Sequence, residues 1–160
     1  MEEKILILFH KVRESFDDIK EKVSLIKPYF ELLVFSTGWA MKIEEFGKIL
    51  GFKPEFIFKS SEEVYAISVL YRIDDDITTG IIAHEFAEIV AREKNILEHE
   101  LVDRICVERG FGEQLLLALQ NDILPGMVER DFIDRADLDS RIENLKGLIL
   151  NLHLRSSHKT

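Results

Sequence analysis

The chain is short of several things, and each shortage excludes something. It has one cysteine, Cys106, so neither an intramolecular disulfide nor a thiolate cage for zinc can form, and a metal site would have to use histidine and carboxylates. A reducing cytoplasm suits such a chain. Positive charge is also scarce: 21 basic against 30 acidic residues leave a formal net charge of −9. No stripe of Lys and Arg interleaved with aromatics offsets this, which argues against nucleic acid as a partner. No apolar run approaches the roughly 20 residues that a membrane helix needs. Met1-Glu2-Glu3-Lys4 ahead of the short apolar stretch Ile5 to Phe9 has the wrong charge and length for a signal peptide, so a soluble, unprocessed chain is expected. Glutamine is confined to Gln114 and Gln120 while Glu, Lys and Arg abound, a balance that hyperthermophile proteins share. Gly110-Phe111-Gly112 follows a helical segment, whereas phosphate-binding glycine loops follow a strand.

At 160 residues and 46% hydrophobic, the chain has enough material for one domain with a real core. That domain is expected over residues 1–154, with 155–160 a flexible polar tail. Lys4 to His10, rich in Ile, Leu and Phe, reads as a strand. Arg13 to Lys27, with Phe16, Ile19, Val23 and Ile26 three and four apart, reads as an amphipathic helix stopped by Pro28. Leu32 to Ser36 reads as a strand ending in a Thr37-Gly38 turn. Ile43 to Leu50 reads as a short helix closed by Gly51, and Glu55 to Lys59 as extended. Val64 to Ile73 alternates as a strand does, with Ser60 to Glu63 as the turn pairing it to the extended segment before it. Asp74-Asp75-Asp76 supplies capping oxygens and negative charge for a helix over Ile77 to Glu93. From there the pattern is helical: Glu98 to Arg109, Glu113 to Leu124 and Leu138 to Leu154. The fold class expected is α+β, a three- or four-stranded sheet packed on helices, with a helical C-terminal half.

The chemistry-bearing stretch is Ile81-Ile82-Ala83-His84-Glu85-Phe86-Ala87-Glu88. His-Glu-x-x-Glu is one residue away from HExxH, in which two histidines bind zinc and the glutamate beside the first activates water. Residues four apart share a helix face, so His84 and Glu88 can still grip one cation. A third ligand would come from the next helix, where Glu98, His99 and Glu100 are alternatives and His99 shares a face with Asp103. A carboxylate in place of an imidazole makes the cation a weaker electrophile, and manganese or iron suits such a site as well as zinc.

Strand, helix with His-Glu, short turn and a helix carrying a ligand and then Asp: from Val64 to Gly112 this order resembles the zincin metallopeptidases, particularly their glutamate-ligand branch. The resemblance implies a zincin-like architecture with a cleft-edge strand just before the active-site helix. It makes His84 the first zinc ligand, Glu85 the general base and Asp103 the acid supporting the distal ligand. Glu88 stands where that family has its second histidine. The activity implied is hydrolysis of a peptide or related amide, with His84, Glu88 and His99 on the metal and Asp103 orienting His99.

Two plainer readings compete. An acidic helix carries His-Glu and a following Glu by chance, with His84 satisfied at the core edge. Alternatively the protein is a non-catalytic interaction module whose Leu115-Leu116-Leu117 and Leu148-Ile149-Leu150 runs bury against a second copy. A homodimer is compatible with either function. Among the remaining features, the three aspartates are better explained by capping than by magnesium. Cys106 reads as a small core residue, Trp39 as a core anchor near a turn, and His153 and His158 as residues of the last helix and the tail.

Overall fold

The computed structural model describes residues 1–29, 38–72, 74–96, 98–121 and 135–158. Its α-helices are α1 (Glu2–Arg13), α2 (Ile43–Leu50), α3 (Asp75–Glu93), α4 (His99–Glu108), α5 (Gly112–Asn121) and α6 (Arg135–Ser157). Its strands are β1 (Val23–Ile26), β2 (Gly38–Lys42), β3 (Phe56–Phe58) and β4 (Tyr65–Val69). They form one four-stranded mixed sheet in the order β2-β4-β1-β3, in which β1 runs parallel to β4 and the other two pairings are antiparallel. The fold is α+β with a helical C-terminal half, as the pattern of the chain predicts. None of the described helices is long and apolar enough to cross a membrane.

Both sheet faces are covered, and this explains why β1 and β4 are buried at every residue instead of alternating. Val23, Leu25, Ala40, Tyr65, Ile67 and Val69 face the main core with α1 and α3. Ile26, Met41 and Ala66 face the other way, onto Phe46 of α2. Trp39 is half-buried at the margin of this smaller cluster. Ser24 and Ser68 are buried as well, and hydroxyls answer their polarity: Ser24 Oγ lies 2.9 Å from Ser60 Oγ, and Ser68 Oγ donates to the Lys27 carbonyl at 3.1 Å.

Several expected elements are corrected. Lys4 to His10 is no strand but the body of α1, because Ile5, Leu8, Phe9 and Val12 recur at helical spacing and all four are buried. The expected helix over Arg13 to Lys27 is a turn, a single 3-10 turn at Lys20–Lys22, and β1. Phe16, Ile19 and Val23 are buried as the spacing implied, but Leu25 and Ile26 bury on opposite faces, which only a strand allows. The Ser60 to Glu63 turn does not pair β3 with β4, since β1 lies between them. Leu32 to Ser36 and Thr37 fall outside the described residues, and Gly38 opens β2. Finally, β4 does precede the motif helix, yet it is an interior strand with β2 on its outer side, unlike the cleft-edge strand that the zincin resemblance implies.

The helices expected after residue 74 are present, though 122–124 fall outside the described residues and the tail expected from residue 155 is helical to Ser157. Asp74 caps α3, its Oδ1 accepting from Ile77 N at 2.9 Å, and Tyr71 Oη donates to Asp75 Oδ1 at 2.6 Å, so two of the three aspartates are engaged at the helix start. Asn95 takes a left-handed φ of 55° in the break between α3 and α4. The last helix continues to Ser157, where Ser156 and Ser157 hydroxyls donate to the carbonyls of Leu152 and Leu154.

α3 is the axis of the molecule: from Thr78 to Ala91 only Glu88 escapes burial. Gly80 permits its close crossing with α5, because a Cβ there would overlap the Gln114 carbonyl and stand 2.8 Å from Leu115 N. Gly147 of α6 meets nothing within 4 Å. One substitution therefore has opposite signs at the two sites. Gly80→Ala is expected to cost about 1–3 kcal/mol of unfolding free energy through overpacking, and Gly147→Ala to add up to about 1 kcal/mol through helix propensity. Urea denaturation of both variants measures this, and equal effects would contradict the close α3–α5 contact.

Candidate metal centre on the motif helix

The candidate site lies where α3, α4, α6 and the start of β2 converge. His84, Glu85 and Glu88 each offer a ligand atom within 4.8 Å of the others, the only such group of three among the described residues. This group could hold a metal ion. His84 and Glu88 meet because residues four apart stack on one helix face, with His84 Nε2 and Glu88 Oε1 3.1 Å apart. Glu85 points more deeply inward and is 5% exposed. β2 accommodates it only because residue 38 is glycine: a Cβ there would lie 2.8 Å from Glu85 Oε1 and 2.7 Å from Ile81 Cγ2.

The distal residues behave differently from the expectation. His99 is outside the group of three; it is exposed in the first turn of α4, although its charge still reaches Glu88. Glu98 and Glu100 are exposed too and do not join the group. Asp103 is 3% exposed and faces the site, but its partner is not His99. It accepts a two-pronged contact from Arg141 of α6, Nη2 to Oδ1 at 2.7 Å and Nε to Oδ2 at 2.9 Å. The same Arg141 Nη2 lies 3.4 Å from His84 Nδ1. A chain of polar contacts thus runs from Asp103 through Arg141 and His84 to Glu88.

Arg141 escaped the sequence reading, yet it left a signal. Leu138, Arg141 and Leu145 are spaced three and four apart, so the arginine stands on the buried stripe of α6, between two leucines that are themselves buried. A cation in that position requires a buried anion opposite it. No protein-family model, curated protein or solved structure matches the chain, so the chemistry of this site has to be read from its own side chains.

The charges divide unequally. Burial, reinforced by the negative charge of Glu88, raises the Glu85 carboxyl well above its usual 4.5. Burial acts in the same direction on Glu88, but its contacts with His84 and the basic side chains of Arg92 and His99 outweigh it and lower the value. Burial disfavours the Arg141 guanidinium, and Asp103 more than reverses this. Burial pushes the Cys106 thiol well above its usual 9.0, which leaves it a core thiol and not a nucleophile.

A pH dependence of stability follows for the metal-free protein. Between 4.5 and its raised folded value, Glu85 holds a proton in the native state that the unfolded chain has released. The folded state then binds more protons, so stability falls as pH rises through that window. Glu85→Gln cannot ionise and is expected to remove this fall, leaving the two proteins similar near pH ~4 and the variant more stable near pH ~8. Denaturant midpoints across that range test it; parallel curves would show that Glu85 titrates normally.

Proposed function

We propose that the protein binds a divalent first-row metal ion on α3 and hydrolyses a peptide or related amide bond there, in the manner of the zincins it resembles. The observation that carries the reading is the group of one imidazole and two carboxylates within 4.8 Å on a buried helix face. Its donors suit zinc, and equally manganese or iron. His84 and Glu88 hold the ion. His99 has no part in this reading, since it lies outside the group, and Asp103 engages Arg141 in place of a ligand. A divalent cation at this position supplies Lewis acidity, polarising a carbonyl and making a water easier to deprotonate.

The protein groups supply the rest. Glu85, ionised once a cation offsets the neighbouring charge of Glu88, would take a proton from an attacking water and return it to the leaving amine. Its surroundings, Ile81 and the backbone of Gly38, leave little room for bulk solvent. Glu88 is kept anionic by His84 and Arg92, as a ligand must be.

Elemental analysis, with titration of zinc, manganese and iron into chelator-treated protein, tests the metal step. Near-stoichiometric binding lost in His84→Ala is expected, and a folded protein that takes up none of the three ions defeats the proposal. Glu85→Gln separates the roles: it should retain the ion and lower amide hydrolysis by at least about 100-fold. Loss of the ion in that variant would make Glu85 a ligand and remove it as the base.

A second reading, self-association, is favoured by α6. Leu150 and Leu154 are 59% and 50% exposed there, an unusual display of leucine on one helix end. Sedimentation equilibrium at micromolar concentration should then give a dimer that Leu150→Glu dissociates, and a monomeric wild type would rule this out.

A further inference from the structure

We propose that Arg141 is the positioning residue of the His84 site, and that its guanidinium and a cation on His84 exclude one another. A guanidinium has donors only and accepts nothing. With Arg141 Nη2 3.4 Å from His84 Nδ1, the ring nitrogen facing it has to present its lone pair. The ring proton then sits on the other nitrogen, Nε2, where Glu88 Oε1 accepts it at 3.1 Å. Both nitrogens of His84 are committed, and the two partners, Arg141 on α6 and Glu88, ask for the same tautomer.

Metal-binding histidines have the opposite arrangement. The nitrogen remote from the ion carries the proton and donates it to a carboxylate or carbonyl, which raises the basicity of the ligating nitrogen. Here a cation on Nε2 would require a proton on Nδ1, against a positive donor. The ion can be gained only as the Arg141 contact is lost. Asp103 makes that contact persistent, because its two oxygens hold the guanidinium in a fork at 2.7 and 2.9 Å, and the burial of Asp103 limits competition from water.

Buried Asp103 already has a counter-charge in Arg141, and Glu88 accepts the hydrogen bond from His84. A site preformed with its own cation makes ion binding an exchange of one positive charge for another. Arg141 therefore sets how tightly the site takes a metal.

The first half of this inference, the tautomer, stands on geometry alone; the second half, on metal affinity, rests on the metal reading proposed above. Nitrogen-15 NMR of the histidine-labelled wild-type protein without metal reads the tautomer directly, with His84 assigned through His84→Gln. The expected result is a proton on Nε2 and a bare Nδ1; a protonated Nδ1 overturns the proposal without any need for an Arg141 variant. Single removal of Arg141 would strand a buried carboxylate, so the comparison uses D103N/R141M, in which one negative and one positive charge leave together. To remove the bias of the Glu88 carboxylate, the tautomer is compared in Glu88→Gln with and without that double change: His84 is expected to keep its Nε2 proton beside Arg141 and to populate both tautomers without it, and zinc ions alone, titrated calorimetrically into D103N/R141M, should bind at least about tenfold more tightly than to the wild type. An unchanged tautomer, or zinc affinity equal to or weaker than that of the wild type where both bind, overturns the role of Arg141. If the tautomer shifts as expected and neither protein binds zinc, the positioning role stands and the metal reading is what fails.

Discussion

The contact between Asp103 and Arg141 is the constraint on which the helical half depends. It is made between α4 and α6, and through His84 it reaches α3, the helix against which α1, α4, α5, β2 and β4 pack. A buried ion pair adds little net stability compared with apolar residues of the same size, but losing one partner is severe, about 3–5 kcal/mol, because the other charge is stranded. The pair therefore specifies arrangement more than it adds stability. It allows one rotation of α6 about its axis, the one that seats Leu138 and Leu145 in the core and brings Arg141 between them toward Asp103. Ile149 against Gly112, where a Cβ would come within 2.9 Å of Ile149 Cγ1, locks the same rotation from the α5 side.

α3 is an unusual helix to place at the centre of a small domain, because it brings His84, Glu85, Thr78 and Thr79 into burial along with its apolar residues. Each polar group has an answer of a different kind. The threonine hydroxyls donate back to the carbonyls of Asp74 and Asp75 at 2.9 and 2.6 Å. His84 is held between Arg141 and Glu88. Glu85 is accommodated by retaining its proton, the cheapest way for a carboxyl to enter a low-dielectric site. Alanine or leucine at 84 and 85 would make the last two devices unnecessary.

Legibility differed by element in ways that have physical causes. α2, its Gly51 cap at φ 77° and the Asp74 start of α3 were readable because local chemistry decides them: a left-handed residue after the last turn, and a carboxylate that accepts from an early backbone amide. α1 was misread as a strand because Leu6 and Ile7 fill the gaps between Ile5, Leu8, Phe9 and Val12, hiding the helical stripe behind a continuous apolar run. β1 was misread as helix because Phe16, Ile19, Val23 and Ile26 keep helical spacing by coincidence across a turn, a 3-10 segment and a strand. The pairing of β1 between β3 and β4 is made across roughly thirty to forty residues of chain, about which local pattern is silent.

At the site the same division holds. The sequence by itself determined that His84 and Glu88 share a helix face, that Glu85 sits beside them and that any metal ligands must be imidazole or carboxylate, since a four-residue step on a helix and a lone cysteine leave no alternative. Only the tertiary structure decided what faces them. It turned Asp103 toward Arg141 instead of His99, left His99 at the surface, and brought Gly38 from a distant strand against Glu85. The reason is that a helix presents its side chains at fixed angles, whereas which neighbour receives them depends on how several helices pack at once, and a single half-buried arginine on α6 tips that choice.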